Sequence, residues 1–175
     1  GCEDMTDITK LTVTGNINQS DLDYLRDNVG ATLDFLDLGA VSVENNSFGD
    51  HTLWECGFEE IILPNTIESL GVWYTLINCN NLKTLHIPSS VRYLGPDFGR
   101  SNNVLETVTG GENVERLTDG MYFADTPNLQ IPVIFNNHFF RLPQTTIGTY
   151  EVPDGIETII RDGMCYATEL TALTL

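Results

Sequence analysis

The sequence predicts a strand-rich α/β solenoid, an array of short coils stacked on one continuous core, and three recurring landmarks predict it. The first is a tetrad of aliphatic, two polar and aliphatic residues: Ile67 to Leu70, Val91 to Leu94, Val114 to Leu117 and Ile156 to Ile159. Its steps are 24, 23 and 42 residues, the last being two steps of 21. The second is an aliphatic–proline pair ahead of three tetrads, at Leu63-Pro64, Ile87-Pro88 and Val152-Pro153. The third is an apolar residue followed six places on by leucine, at Phe123 and Leu129 and at Met164 and Leu170, with Val104 in the leucine place after Phe98. Landmarks that share one period mark coils of one array.

Within the period lies an LxxLxL segment, seen at Leu33 to Leu38, Leu82 to Ile87 and Leu170 to Leu175, with Phe58 to Leu63 as a substituted copy. Coils of this length carrying that segment are leucine-rich repeats. The LxL part is read as a short parallel strand with its aliphatics turned inward, and a right-handed superhelix places these strands on a concave face. The tetrads, rich in Val and Ile and without helix caps, are read as extended segments on the opposite wall. Prolines directly after the strands end them, because proline cannot donate to a ladder.

Two regions depart from the period. Residues 10–32 read as a strand from Lys10 to Thr14 and then a helix over about 21–29, with Ser20 as N-cap, Asp21 and Asp23 in the first turn and Gly30 as the stop. Leu22, Leu25 and Val29 share one face of that helix, which suits a cap over the first coil. Between about 131 and 150, Val133-Ile-Phe, Asn136-Asn137 and His138 to Leu142 read as a hairpin in an irregular coil. The domain reading is therefore a flexible segment over 1–9, a strand–helix cap over 10–32 and the repeat array over 33–175. The array ends on Leu173-Thr-Leu175, so its last coil is expected to lie open or to pair with a second copy.

Composition narrows the function. There are 25 Asp and Glu against 8 Lys and Arg, a formal charge of -17. Nucleic acid is excluded as a partner, since affinity for phosphate backbones needs clustered cations. No stretch has the apolar length of a membrane span. The chain opens without a basic stretch and apolar core, so it is expected to be a mature exported chain or a cytosolic one. Cys2, Cys56, Cys79 and Cys165 form no CxxC and no zinc-type spacing with His51, His86 and His138, so neither a metal nor any other cofactor is expected. Nucleophile, zinc-hydrolase, phosphate-loop and dinucleotide motifs are all missing, and the carboxylates are scattered through turns, so the expected function is not enzymatic.

The phrases Leu82 to Pro88, Tyr150 to Ile159 and Glu169 to Leu175 resemble BspA-like repeats, the treponemal-type leucine-rich repeats of bacterial surface proteins. Cys79, three residues before Leu82, matches the cysteine of that family's coil, while Phe58, Met164 and Ala167 depart from its pattern. The resemblance covers roughly residues 10–175. It implies display at a bacterial cell surface or in the periplasm, and adhesion to a host or bacterial protein or glycan, with no catalytic residues to carry over. In that setting Cys2, followed by Glu3 and Asp4, suits the lipid-modified N-terminus of an outer-membrane lipoprotein, the one route by which a membrane would be met; the alternative is a plain flexible terminus. Cys56 and Cys79 stand 23 residues apart, one coil, and are expected as two buried thiols, with a bridge as the alternative.

The candidate binding residues lie between the inward aliphatics of the strands: Asp37, Ile62, His86, Thr174, and Thr109 in one of two registers that Val104-Leu105 allows. Lys83 lies on the same face. Taken singly, each is more readily read as a solvated strand residue. Trp54, Trp73, Tyr74, Tyr93, Phe139 and Phe140 are candidate anchors that exposure would separate from core. The expected function is a binding or adhesion module acting through the concave face or the hairpin. The alternatives are a structural spacer and, more remotely, a glycan-active enzyme. A binder predicts a contiguous exposed patch with aromatics, a spacer an evenly polar surface, and an enzyme a deep pocket with convergent carboxylates.

Overall fold

The computed structural model describes residues 7–71 and 73–175; Cys2, and with it the lipid-anchor expectation, lies outside the described residues. In chain order the first elements are β1 (Lys10–Ile17), α1 (Gln19–Asn28), β2 (Phe35–Val43), β3 (Glu60–Ile62) and β4 (Ser69–Leu70). Then follow β5 (Thr84–Ile87), β6 (Tyr93–Leu94), β7 (Thr107–Gly110) and β8 (Arg116–Leu117). The last are β9 (Val133–Phe135), β10 (His138–Arg141), β11 (Gly148–Glu151), β12 (Thr158–Ile159) and β13 (Leu170–Thr174). The result is a strand-rich solenoid with little helix.

Two walls of parallel strands face each other across the core. One carries β1-β2-β3 and then β5-β7, in which Leu36 stands opposite Ile61 and Leu85 opposite Val108. The other carries the tetrads as β4-β6-β8, with Leu70, Leu94 and Leu117 in register. Alternation explains the burial: in β5 Leu85 and Ile87 point inward while Thr84 and His86 point out. The first tetrad residues Ile67, Val91 and Val114 are all fully buried, which is why the period is kept. Leu105 is also fully buried, and this settles the register that Val104-Leu105 left open.

The walls are joined at one edge by turns of uncommon backbone geometry. His51, Tyr74 and Asp97, each one coil apart, hold φ of 56°, 56° and 59°; Leu53, Leu76, Gly99 and Phe123 follow at 57°, 54°, 72° and 51°. Left-handed residues with a Cβ are disfavoured, so something must hold them. Hydrogen bonds between coils do so: His51 N–H donates to Trp73 O at 2.9 Å and Leu76 N–H to Thr52 O at 3.3 Å. Leu53, Leu76 and Phe123 thereby drop into the core.

Asparagines form rungs from each coil to the one before. Asn81 Nδ2 donates to Gly57 O at 2.8 Å, Asn128 Nδ2 to Asn103 O at 2.8 Å and Asn113 Nδ2 to Ser89 O at 2.9 Å. These amides satisfy turn carbonyls that no strand ladder reaches.

The helix begins two residues earlier than the sequence suggests. Asn18, not Ser20, is the N-cap: its Oδ1 accepts from Ser20 N–H at 2.8 Å and Asp21 N–H at 3.3 Å, while Asp21 Oδ2 accepts from Asn18 N–H at 3.0 Å. That reciprocal capping box satisfies more free donors than a serine cap alone. Leu22 and Val29 are buried against the first coil, with Leu25 packed beside them. Gly30 stands where a Cβ would lie 2.6 Å from Arg26 O.

β9 and β10 pair antiparallel, turning at Asn136 with φ 53°, and β10 also pairs parallel with β12. Phe139 and Phe140, both fully buried, fill the core here. Arg141 is buried too: its Nη1 donates to Asp162 O at 2.6 Å, its guanidinium lies 4.6 Å above the Tyr166 ring, and desolvation lowers its pKa.

Candidate functional site

The strand wall brings four of the six candidate residues into one row. Asp37 stands opposite Ile62, and His86 opposite Thr109, on consecutive strands β2, β3, β5 and β7. His86 Nδ1 lies 3.1 Å from Thr109 Oγ1, and Asp37 Oδ1 accepts from Gly39 N–H at 2.8 Å. Lys83 flanks the row and pairs with Glu59 at 3.1 Å. Thr174 is not part of it; it stands opposite Glu151 on the separate β11–β13 pair. Glu60, Ile62, Asn65, Thr84 and His86 line a hollow of about 210 Å³ beside the row. Ile61, Leu63 and Pro88 complete its lining, which is evenly polar and apolar and includes no Trp, Tyr or Phe.

A second surface lies on the edge where the left-handed turns stack. Stacking by one coil step sets His51 beside Tyr74, with ring centroids 5.1 Å apart; Trp54 is 5.4 Å from His51 and Trp73 is 6.2 Å from Tyr74. Trp73 is 47% and Tyr74 39% exposed, against 0% for Phe139 and Phe140, with Trp54 half-buried between these extremes. Tyr93 is half-buried on β6. The sequence singled out Trp54, Trp73 and Tyr74 but neither their convergence nor His51, which completes the group. The missed signal is the equal 23-residue step from His51 to Tyr74 to Asp97.

This aromatic group separates two adjoining clefts that share His51 and Trp54. One, of about 540 Å³, runs toward α1 and is lined also by Asp23, Asp27, Asp50 and Glu55. The other, of about 350 Å³, runs along the turns past Tyr74, Ile77 and Arg100. Arg26 anchors the first cleft: its Nη1 meets Asp23 Oδ1 at 3.0 Å and His51 O at 2.9 Å, and its Nε meets Asp27 Oδ1 at 2.8 Å. The hydrogen bond that Arg26 donates to Asp27, with the fields of Asp27 and Asp23, holds the guanidinium pKa above its ordinary value against the lowering effect of burial. Arg100 is likewise held, 3.4 Å from Asp125 and 3.9 Å from Asp97.

The thiols behind this edge are poor nucleophiles. Cys56 and Cys79 are buried and unbridged, and Cys79 Sγ donates to Leu53 O at 3.2 Å. Burial pushes the Cys56 thiol up to about 12 and raises Cys79 well above its ordinary value. Cys165 is exposed, and its hydrogen bond to Asp162 keeps its proton on. Among the described residues no three His, Cys, Asp or Glu side chains are grouped to hold a metal ion.

No curated protein and no solved structure matches the chain. A family model described as the BspA type leucine rich repeat region matches in six copies over residues 39–149. These copies run through the stacked coils whose strand rows and edge turns are described above, and the chain belongs to the BspA-type leucine-rich-repeat family.

Proposed function

We propose that this chain is a non-enzymatic adhesion module, displayed at a bacterial surface, that holds a host or bacterial surface partner on its aromatic edge. The observation that carries the reading is the contiguous group of Trp73, Tyr74, Trp54 and His51, two of whose rings are substantially exposed while neighbouring aromatics are sealed in the core. Half-exposed tryptophan and tyrosine offer large contact area at little cost in side-chain freedom, which is why they dominate binding energetics. Repeat families of this kind serve as interaction modules, and their stacked coils offer long rigid surfaces. In this reading α1 seals the first coil from water, and the row from Asp37 to Thr109 on the outward strand face provides secondary contacts.

The test is a screen of the purified chain against immobilised extracellular-matrix proteins and a glycan array. It is repeated with Trp73→Ala/Tyr74→Ala and, separately, with Lys83→Ala/His86→Ala. A saturable hit weakened at least about tenfold by the aromatic pair, and less by the strand pair, supports the edge. Greater loss from the strand pair would move the site to the wall. Blank panels would leave a structural spacer as the better reading.

A further inference from the structure

The chemistry around the aromatic edge identifies what it would hold. We infer that the cleft between α1 and the turn at 50–55, which adjoins the aromatic edge through His51 and Trp54, is a seat for cationic side chains, arginine above all, on a basic segment of a partner protein. This deepens the proposed function and rests on it.

Three features converge. Trp54 and His51 line the cleft, and the face of tryptophan carries negative charge density that draws a guanidinium or ammonium onto it. The rim is acidic, with Asp23, Asp27, Asp50 and Glu55 facing the cleft. Its lining cation, Arg26, is already engaged by two of those carboxylates and a carbonyl, so Asp50 and Glu55 are left to meet an incoming charge. On the far side, Arg100 is neutralised by Asp97 and Asp125 and does not reverse the sign. The whole chain, at -17, steers cations toward the surface from a distance.

Arginine suits the site better than lysine. Its planar group can stack on Trp54 while its edge forks onto a carboxylate of the same cleft, as an ammonium cannot. A neutral sugar would stack on the same rings and would leave the charge of Asp50 and Glu55 unanswered. A polyanionic glycan or nucleic acid would meet repulsion.

The chain's two tryptophans, Trp54 and Trp73, both belong to this edge, so intrinsic fluorescence reports on it directly. The probe is a short Gly-Arg-Gly-Arg-Gly peptide with blocked ends, titrated into the full chain alongside the same peptide carrying citrulline in place of arginine. The expected result is a saturable change with the arginine peptide, weakened by raising salt from about 50 to about 300 mM, and absent with the citrulline peptide. Asp50→Asn/Glu55→Gln should weaken binding about tenfold. Glu112→Gln/Glu115→Gln, an equal charge change on exposed positions just ahead of β8, should leave it within about twofold. Equal loss from both pairs would mean a general acidic field and overturn the seat. So would equal binding of the citrulline peptide, or no binding of either. If the arginine peptide fails while a glycan from the array binds in a Trp73-dependent way, the adhesion reading stands and the cationic seat does not. If no ligand depends on Trp73 or Tyr74, both fall.

Discussion

Asn102 and Cys79 are tied across neighbouring coils by a hydrogen bond in which the Cys79 N–H donates to Asn102 Oδ1 at 2.8 Å. The same amide donates from Nδ2 to Leu76 O at 2.9 Å and to Gly99 O at 3.0 Å, and the side chain is fully buried. One side chain thus satisfies three backbone groups that have no access to water.

Replacing it with alanine leaves those groups unpartnered, each at a cost of about 1–3 kcal/mol. Asn102→Ala is expected to lose about 3 kcal/mol or more of stability, read as a fall in the urea midpoint. Asn128→Ala, which removes an exposed rung to Asn103 O, should cost less than about 1 kcal/mol. Equal losses would show that burial does not govern the rungs.

An edge turn and the turn between β11 and β12 permit a second comparison. Gly99 and Gly155 both hold positive φ, at 72° and 87°. A Cβ at Gly99 would come within 2.5 Å of the Phe123 ring, while at Gly155 it would meet nothing within 4 Å. Gly155→Ala is expected to cost about 1 kcal/mol, from backbone strain alone. Gly99→Ala adds the clash with a buried ring and should cost at least about 1 kcal/mol more. Thermal unfolding of the two variants measures the difference, and similar shifts would refute it.

The buried thiol sets a pH dependence. Cys56 titrates at about 12 in the fold, its ordinary value being 9.0. A raised value in the folded state means that the unfolded chain loses its proton first. The contribution is complete below pH 9.0 and is lost as the pH rises toward about 12, at no more than about 1.4 kcal/mol per pH unit. Cys79, also raised, adds in the same direction. The stability gap between the wild-type chain and Cys56→Ala should therefore narrow between about pH 9 and about pH 11 in urea titrations. A constant gap would contradict the burial of the thiol.

The exposed thiol differs from these two in its access to reagents, although its hydrogen bond to Asp162 raises its pKa as well. Cys165 is open to solvent, whereas Cys56 and Cys79 are within 3% of full burial. Maleimide added to the native chain should modify Cys165 while sparing the other two, with peptide mass spectrometry as the readout; urea should release all three. Native labelling of Cys79 would contradict the edge packing.

The fold was legible where one residue type has one destination. Ile67, Val91 and Val114 are spaced by the coil and all are buried, so period alone located the walls. It failed where two adjacent residues could each fill the core, as at Val104-Leu105; only the fit of Leu105 decides, and with it the place of Thr109 opposite His86. The rungs were illegible because an asparagine in a turn reads the same whether it bonds within its own turn or reaches the next coil. Of the candidate site, the row on the strand face followed from alternation. The aromatic edge did not, because it depends on left-handed turns that lay His51 against Tyr74, and Tyr74 and Leu76 are not residues that announce such a conformation.

The hairpin coil has a mechanical consequence. Phe140 packs with the apolar core of the preceding coils, while its neighbour Phe139 packs with Leu142, Val152 and Ala167 in a separate, smaller cluster. Strand β10 thus contributes one buried ring to each cluster, with Ile134 of β9 packed against the smaller and Ile160, beyond β12, against the larger. The smaller cluster has far fewer buried side chains, so a load drawn along the solenoid is expected to open it first while the coils bearing Trp73 and Tyr74 hold their shape. A grip at one end of the array would in this way survive the loss of the other.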